Sequence, residues 1–136
     1  MAGENDLPDG VQHFLRENIS SVEQLEILLH LYQKAPAGLT SQELARTLYI
    51  SPESVAARLE AYRSKNLLVT KEIQTGNKTE VQYAFNTLDG MMMRKLAELD
   101  RTYRERRVSV INFIFSNPID TIQSFADAFI LGKKKE

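Results

Sequence analysis

The 136-residue sequence predicts a mainly α-helical fold with one small β-hairpin and long carboxy-terminal helices. Three observations lead to this fold class. Apolar residues recur at helical spacing over most of the chain, and Ser or Thr residues with capping chemistry precede several of these stretches. Between positions 69 and 85 the period changes to alternation on both sides of a turn-forming segment, which is typical of two paired strands. The length favours one core with appendages.

The composition is that of a globular protein. Hydrophobic residues make up 43% and charged residues 26%, and no apolar run approaches the ~20 residues of a membrane span. Without Cys there is no disulfide, thiolate nucleophile or Cys-ligated zinc. The acidic start lacks the pattern of a secretory signal, so we expect a cytoplasmic location and no membrane partner.

The charge is unevenly distributed. The net charge is −1, with −5 in residues 1–30 and +4 in the remainder. A net charge near zero creates no overall electrostatic attraction for a polyanion. Because the charge is distributed asymmetrically, however, the net charge does not exclude a polyanionic partner.

The helices are predicted in order as follows. Residues 1–19 form an acidic extension with a short helix from Val11 to Ile19. A capping box of Ser20 and Glu23 opens a buried helix of about 14 residues, and a box of Thr40 and Glu43 opens the next. Ser51 before Pro52 starts another helix, whose apolar face is Val55, Leu59 and Tyr62.

A β-hairpin follows this helix. Asn66 ends the helix in a left-handed conformation. The strands are predicted around Val69–Ile73 and Val81–Phe85, joined by turn chemistry in residues 75–79.

The carboxy-terminal part returns to helical spacing. Apolar residues from Leu88 to Tyr103 form a coiled-coil-like seam in a helix that could continue through Val108–Phe115. Asn117-Pro118 then starts a last amphipathic helix. The predicted divisions are 1–19, 20–87 and 88–136.

The segment from Leu39 to Leu68, reading LTSQELARTLYISPESVAARLEAYRSKNLL, resembles the core of MarR-like winged helix-turn-helix transcriptional regulators. With the preceding helix and the hairpin, the resemblance covers about residues 20–87. It implies a homodimer that places the helix after Ser51 in the major groove of duplex DNA and the hairpin wing near the minor groove. A helix fits that groove, and helix N-termini favour phosphate.

The residues expected to contact DNA lie at two helix starts and the wing. They are Thr40, Ser41, Gln42, Ser51, Glu53, Ser54, Ala57, Arg58 and Lys78. The outward face of the helix is not basic, because it carries Glu53 and Glu60. A solvated flank is therefore an alternative for Arg58 and Arg63, and an ordinary turn is the alternative for Thr75, Asn77 and Lys78.

The carboxy-terminal seam favours a homodimer interface, with packing inside one chain as the alternative. The dimerisation residues are Leu88, Met92, Leu96, Leu99, Tyr103, Ile111 and Phe115. For the Met91–Met93 run, packing in a core or an interface is favoured, and lining a ligand crevice is the alternative. The last helix is a second candidate for holding a protein partner, and the terminal lysines are interpreted as a solubilising tail.

Enzymatic function finds little support in the sequence. His13 and His30 are isolated, and Gly76–Thr79 lacks the adjacent Gly-Lys pair of a phosphate loop. We therefore expect a non-enzyme without cofactor or metal. The leading hypothesis is a transcriptional regulator that binds duplex DNA. The alternative is a winged-helix interaction module that uses the Glu53/Glu60 face or the last helix, without sequence-specific DNA binding.

Overall fold

The structure, a computed structural model, describes residues 7–116. Within them it contains six α-helices and one three-stranded antiparallel sheet, which confirms the mainly helical fold with a hairpin. The elements are α1 (Asp9–Asn18), α2 (Val22–Lys34), β1 (Leu39–Thr40), α3 (Ser41–Leu48), α4 (Pro52–Ser64), β2 (Leu68–Thr75), β3 (Lys78–Phe85), α5 (Gly90–Glu105) and α6 (Arg107–Ser116). The predicted last helix from Asn117 and the lysine tail lie outside the described residues.

The chain forms two compact units. Within the described residues, one unit combines residues 7–22 with residues 98–116, and the other runs from Glu23 to Ala97. The second unit contains the sheet and helices α3 and α4.

The core of the Glu23–Ala97 unit is built from aliphatic side chains and a few aromatics. Five apolar residues of α2 are buried, which are Leu25, Ile27, Leu28, Leu29 and Leu31. Leu44 of α3 and Val55 and Leu59 of α4 have no exposed surface. Because buried apolar surface contributes about 25 cal/mol per Å², these side chains dominate the stability of the unit.

The helix boundaries of α3 and α4 follow the predicted caps. The Thr40 hydroxyl accepts from the Glu43 backbone N–H at 3.1 Å, and the Glu43 carboxylate accepts from the Thr40 N–H at 2.9 Å. Ser51 caps α4 through the Ser54 N–H, with Pro52 in the first turn. Asn66, just beyond α4, has a positive φ of 66°. These local predictions are confirmed.

The sheet has the strand order β1-β3-β2. β2 and β3 pair from Leu68 opposite Phe85 to Thr75 opposite Lys78, so the connecting loop is only Gly76-Asn77 and the strands are longer than predicted. The φ of Gly76 is 65°, and a positive φ at the first of two central residues is typical of a type II′ turn.

Strand β1 was not predicted. It has only two residues, and Leu39 pairs with Tyr83 of β3. A Cβ atom at Gly38 would lie 3.2 Å from the backbone oxygen of Tyr83, so glycine permits this close approach. A two-residue strand is too short to show an alternating pattern, and its pairing partner is more than 40 residues away.

In the unit of residues 7–22 and 98–116, α1 packs with α6. The buried residues of this unit include Val11, Phe14 and Leu15 of α1 and Val110 and Ile114 of α6. The Arg16 guanidinium lies 5.5 Å from the centre of the Phe113 ring. The single continuous helix considered from the sequence is divided at Arg106 into α5 and α6.

The predicted dimer seam divides into buried and exposed residues. Leu96, Leu99 and Tyr103 are buried in the single chain, so the alternative of packing inside one chain holds for them. A side chain without accessible surface adds little to an interface between two copies. Leu88 precedes α5 and is 93% exposed, and Phe115 on α6 is 71% exposed. Met92 and Ile111 are half-buried.

Candidate nucleic-acid interface

Helices α3 and α4 are joined by three residues, Tyr49, Ile50 and Ser51. Tyr49 adopts the left-handed conformation, with φ 59° and ψ 45°, at the end of α3. Its backbone N–H donates to the Ala45 carbonyl, which ends α3. Ser51 caps α4 two residues later, so one short turn joins the two helices and the N-terminus of α4 is exposed.

Helix α4 has the two faces predicted from its spacing. Val55, Leu59 and Tyr62 are buried. The opposite face is exposed and consists of Glu53, Ala56, Ala57, Glu60, Ala61 and Ser64. This face has small and acidic side chains, with two alanines between the two carboxylates and a third alanine after Glu60.

One flank of α4 is bonded to the first turn of α2 through Glu23. The Glu23 Oε1 atom accepts from the Ser54 hydroxyl at 2.9 Å and from Arg58 Nε and Nη2 at 3.3 and 3.2 Å. Both predicted DNA-contacting residues of this flank are therefore engaged within the chain. The Arg58 guanidinium is thus neither an isolated solvated cation nor free to pair with a ligand, because it forms an ion pair with Glu23.

Tyr62 extends the same flank by one more turn. Its hydroxyl donates to the Gln24 carbonyl at 3.3 Å. Burial raises the pKa of the Tyr62 phenol far above its ordinary value, with a smaller opposing effect of Arg58. Because Ser54, Arg58 and Tyr62 are spaced four residues apart, they form one stripe of α4 that contacts residues 23–24.

The other flank of α4 is bonded to the hairpin through Glu60. Arg63 donates to Glu60 through Nε at 3.0 Å and Nη2 at 2.9 Å, and the Tyr83 hydroxyl donates to Glu60 Oε2 at 2.7 Å. The hydrogen bonds from Arg63 and then Tyr83 lower the pKa of Glu60. Desolvation, followed by the bond to Glu60, raises the pKa of Tyr83. The second arginine of α4 is thus also paired within the chain.

The remaining predicted site residues fall into two groups. Thr40 and Ser51 use their hydroxyls as helix caps. Gln42, Glu53, Ala57 and Lys78 are exposed, and Ser41 is half-buried. Lys71 and Lys78 share one face of the hairpin, since Lys71 is opposite Gln82 and Lys78 is opposite Thr75. Neither lysine has an ion-pair partner within residues 7–116.

A groove of about 400 Å³ lies where α3 meets the start of α4. Its lining is Gln42, Ala45, Arg46, Ile50 and Pro52. A smaller groove of about 210 Å³ lies between the start of α3 and strand β3.

Sequence reasoning missed Arg46, Tyr49 and Glu23. The helical spacing places Arg46 one turn after Gln42 and could have identified it. No spacing in the sequence indicates the role of Glu23, because Glu23 is 31 residues from Ser54 and 35 residues from Arg58.

No group of three or more His, Cys, Asp or Glu residues within 7–116 could hold a metal ion. Burial, followed by the charge of Lys34, lowers the pKa of His30, which favours its neutral form. None of the helices between residues 7 and 116 combines the length and the apolar character needed to cross a membrane.

The chain was compared with known proteins at three levels. No protein-family model, curated protein or solved structure matches it.

Proposed function

We propose that this chain is a winged helix-turn-helix protein, similar to the MarR-like regulators, that binds duplex DNA as a homodimer and regulates transcription. The observation that carries the proposal is the tight connection of α3 to α4, which leaves one face of α4 exposed beside a two-stranded hairpin. An exposed helix of this length fits the major groove, and a hairpin beside it reaches the adjacent backbone. The proposed function requires no catalysis and no cofactor.

Base contacts are assigned to the exposed face of α4. Ala57 and Ala61 are small enough for a close approach to base edges, and an alanine methyl group can contact the methyl group of thymine. Glu53, in the first turn, can accept from the amino group of cytosine. The charge of Glu60 is compensated by Arg63, which reduces its repulsion of phosphate.

Phosphate contacts are assigned to Lys71 and Lys78 on the hairpin. Both lysines are exposed. They lie on one face of the sheet, and the buried residues Leu68 and Phe85 lie on the other face. Contacts of this kind position a protein on DNA and make its affinity depend on salt. The proposal therefore differs from the expectation for Arg58, whose charge is held by Glu23.

The homodimer is part of this proposal, and the exposed Leu88 supports it. Two copies would present their α4 helices about 34 Å apart, which is one turn of duplex DNA. Leu88→Asp is expected to reduce the molar mass measured by light scattering from two chains to one. The circular dichroism spectrum should stay unchanged, because Leu88 packs against little.

The test of DNA binding uses a duplex pool of about 30 random base pairs, long enough for two half-sites. Replacing Lys71 and Lys78 together by Glu is expected to weaken binding and to reduce the slope of log affinity against log salt by about two. The control with equal charge change is Arg94→Glu with Lys95→Glu, two exposed cations on α5. Equal effects of the two double variants would reject the assignment to the hairpin.

A second candidate function is a protein-binding winged helix. It is favoured by the pairing of both α4 arginines within the chain and by the acidic, alanine-rich surface between them. This candidate predicts that no salt-dependent affinity for duplex DNA is measured. It also predicts that Glu53→Lys abolishes a complex with a basic protein partner.

A further inference from the structure

Helix α6 has apolar side chains on two of its sides. On the first side, Val110 and Ile114 are buried. On the second side, Val108 and Phe115 are 70% and 71% exposed, and Ile111 between them is half-buried. Because these last three residues follow one another at spacings of three and four, they form one continuous stripe along the helix. We call Val108, Ile111 and Phe115 the α6 stripe.

The α6 stripe occupies only one flank of the helix. Ser109, Asn112 and Ser116 lie on the other flank, because successive residues of a helix are ~100° apart. Asn112 and Ser116 are exposed there. A helix side that meets only water is normally polar, as this second flank is. The apolar flank is therefore typical of a surface that contacts a further structural element.

The sequence that follows α6 contains a segment with a matching apolar face. Asn117-Pro118 is predicted to start a helix, and apolar residues then recur at helical spacing. They are Ile119, Ile122, Phe125, Ala126 and Phe129. A helix over residues 118–131 would be ~20 Å long, whereas the α6 stripe extends over ~10 Å. The segment is thus long enough to cover the stripe while it remains joined to the end of α6.

Charge and area favour this segment over a second copy of α6 as the partner of the α6 stripe. Arg107 is the one charged residue of α6, whereas residues 118–131 contain Asp120 and Asp127 and no cation. Opposite charges attract, but a second copy of α6 would carry the same charge. Three side chains also supply far less than the ~800 Å² per partner of a stable interface between chains. A tethered segment needs less area, because its effective concentration is on the order of mM.

We propose that residues 118–131 form a helix that folds back on α6 and covers the α6 stripe of the same chain. This contact assigns Ile111 and Phe115, which the sequence placed among the dimerisation residues, to packing within one chain. It goes beyond the proposed DNA binding and does not depend on it. The two experiments below use no DNA, so their outcome is distinguishable from a failure of the proposed function.

Hydrogen exchange of the full chain, followed by mass spectrometry, tests whether the segment is ordered by α6. The amides of residues 118–131 are expected to exchange at least about tenfold more slowly than in a free peptide of the same sequence. Phe115→Asp should abolish this protection. Asn112→Asp adds the same charge on the polar flank of α6 and is the matched control, which should preserve it. Exchange at the rate of the free peptide, or protection that survives both Phe115→Asp and Val108→Asp, would overturn the proposal.

Cysteine crosslinking tests which chain supplies the segment, and the natural sequence contains no Cys that would interfere. In two antiparallel helices joined at Asn117-Pro118, Val108 and Ala126 lie about equally far from the turn and therefore at the same level. The variant with Val108→Cys and Ala126→Cys is expected to react with a short bismaleimide within one chain. Its reaction should be at least about fivefold faster than that of the control with Ser109→Cys and Ala126→Cys. Equal rates, or products that join two chains, would overturn the proposal.

Discussion

The carboxylate of Glu23 accepts hydrogen bonds from Arg58 Nε at 3.3 Å and Nη2 at 3.2 Å, which joins the first turn of α2 to the middle of α4. Ser54 donates to the same oxygen. The side chains of this ion pair remain 36% and 32% exposed, for Arg58 and Glu23 respectively. Glu23 therefore bonds α2 to α4. It also forms an ion pair with the Arg58 guanidinium, a cation that could otherwise contact phosphate.

Replacing Glu23 by Gln tests both roles. The free energy of unfolding is expected to fall by about 1 kcal/mol, the upper end for partly exposed ion pairs. Under the proposed function, duplex affinity should rise, because Arg58 is released. Chemical denaturation and anisotropy titrations measure the two effects. Glu26→Gln on the same helix is the control for charge, and an equal gain in affinity there would show that only net charge matters.

The Glu60 cluster predicts a dependence of stability on acid. Because Arg63 and Tyr83 lower the pKa of Glu60, the folded state binds its proton less readily than the unfolded state. The stabilisation is present above the ordinary pKa of 4.5 and is lost as the pH falls through the lower folded value. The melting temperature of the natural sequence should thus decrease more between about pH 5 and pH 3 than that of Glu60→Gln. Parallel curves for the two proteins would reject this linkage.

Tyr62 predicts a dependence of stability on alkali. Burial raises its pKa, so the folded state retains the phenol proton at a pH where the unfolded state releases it. Its stabilisation is complete below the ordinary pKa of 10.0 and declines above it. Tyr62→Phe should lower the free energy of unfolding by about 1 kcal/mol at neutral pH, through the lost bond to Gln24. Above pH 10 the difference should shrink, and a constant difference would contradict the prediction.

The cap of α3 predicts a measurable loss of stability. Thr40→Ala removes the acceptor of the Glu43 N–H and should reduce the free energy of unfolding by about 1 kcal/mol. Thr47→Ala, in the same helix and exposed, is the matched control and should change it by less than about 0.5 kcal/mol. Equal values for both variants would mean that the capping box contributes little.

The fold was predictable where its signals are local. The caps at Thr40 and Ser51, the buried stripe of α4 and the hairpin depend on residues within a few positions of one another. Strand β1 was not predictable, because its two residues become a strand only by pairing with β3. The buried state of Leu96 and Leu99 depends on tertiary packing, whereas heptad spacing is the same for a dimer seam and for a core face.

The candidate site was predicted less completely. Spacing identified the exposed face of α4, including Glu53 and Ala57, but not the partners of its arginines. Ion pairs such as Glu23 with Arg58 join residues that are distant in sequence, so periodicity carries no information about them. The conformation of Tyr49 was hidden for a different reason. A tyrosine in the left-handed region is contrary to its intrinsic preference, and only the backbone angles reveal it.

The proposed binding of duplex DNA through α4 and the hairpin can be tested directly. The most direct measurement is the affinity of the full chain for the random duplex pool, titrated by anisotropy between about 50 and 200 mM salt. We expect binding that weakens steeply with salt, with a slope that corresponds to several phosphate contacts. An absence of binding at about 50 mM salt, with protein at ~100 μM where even non-specific DNA binding is measurable, would contradict it.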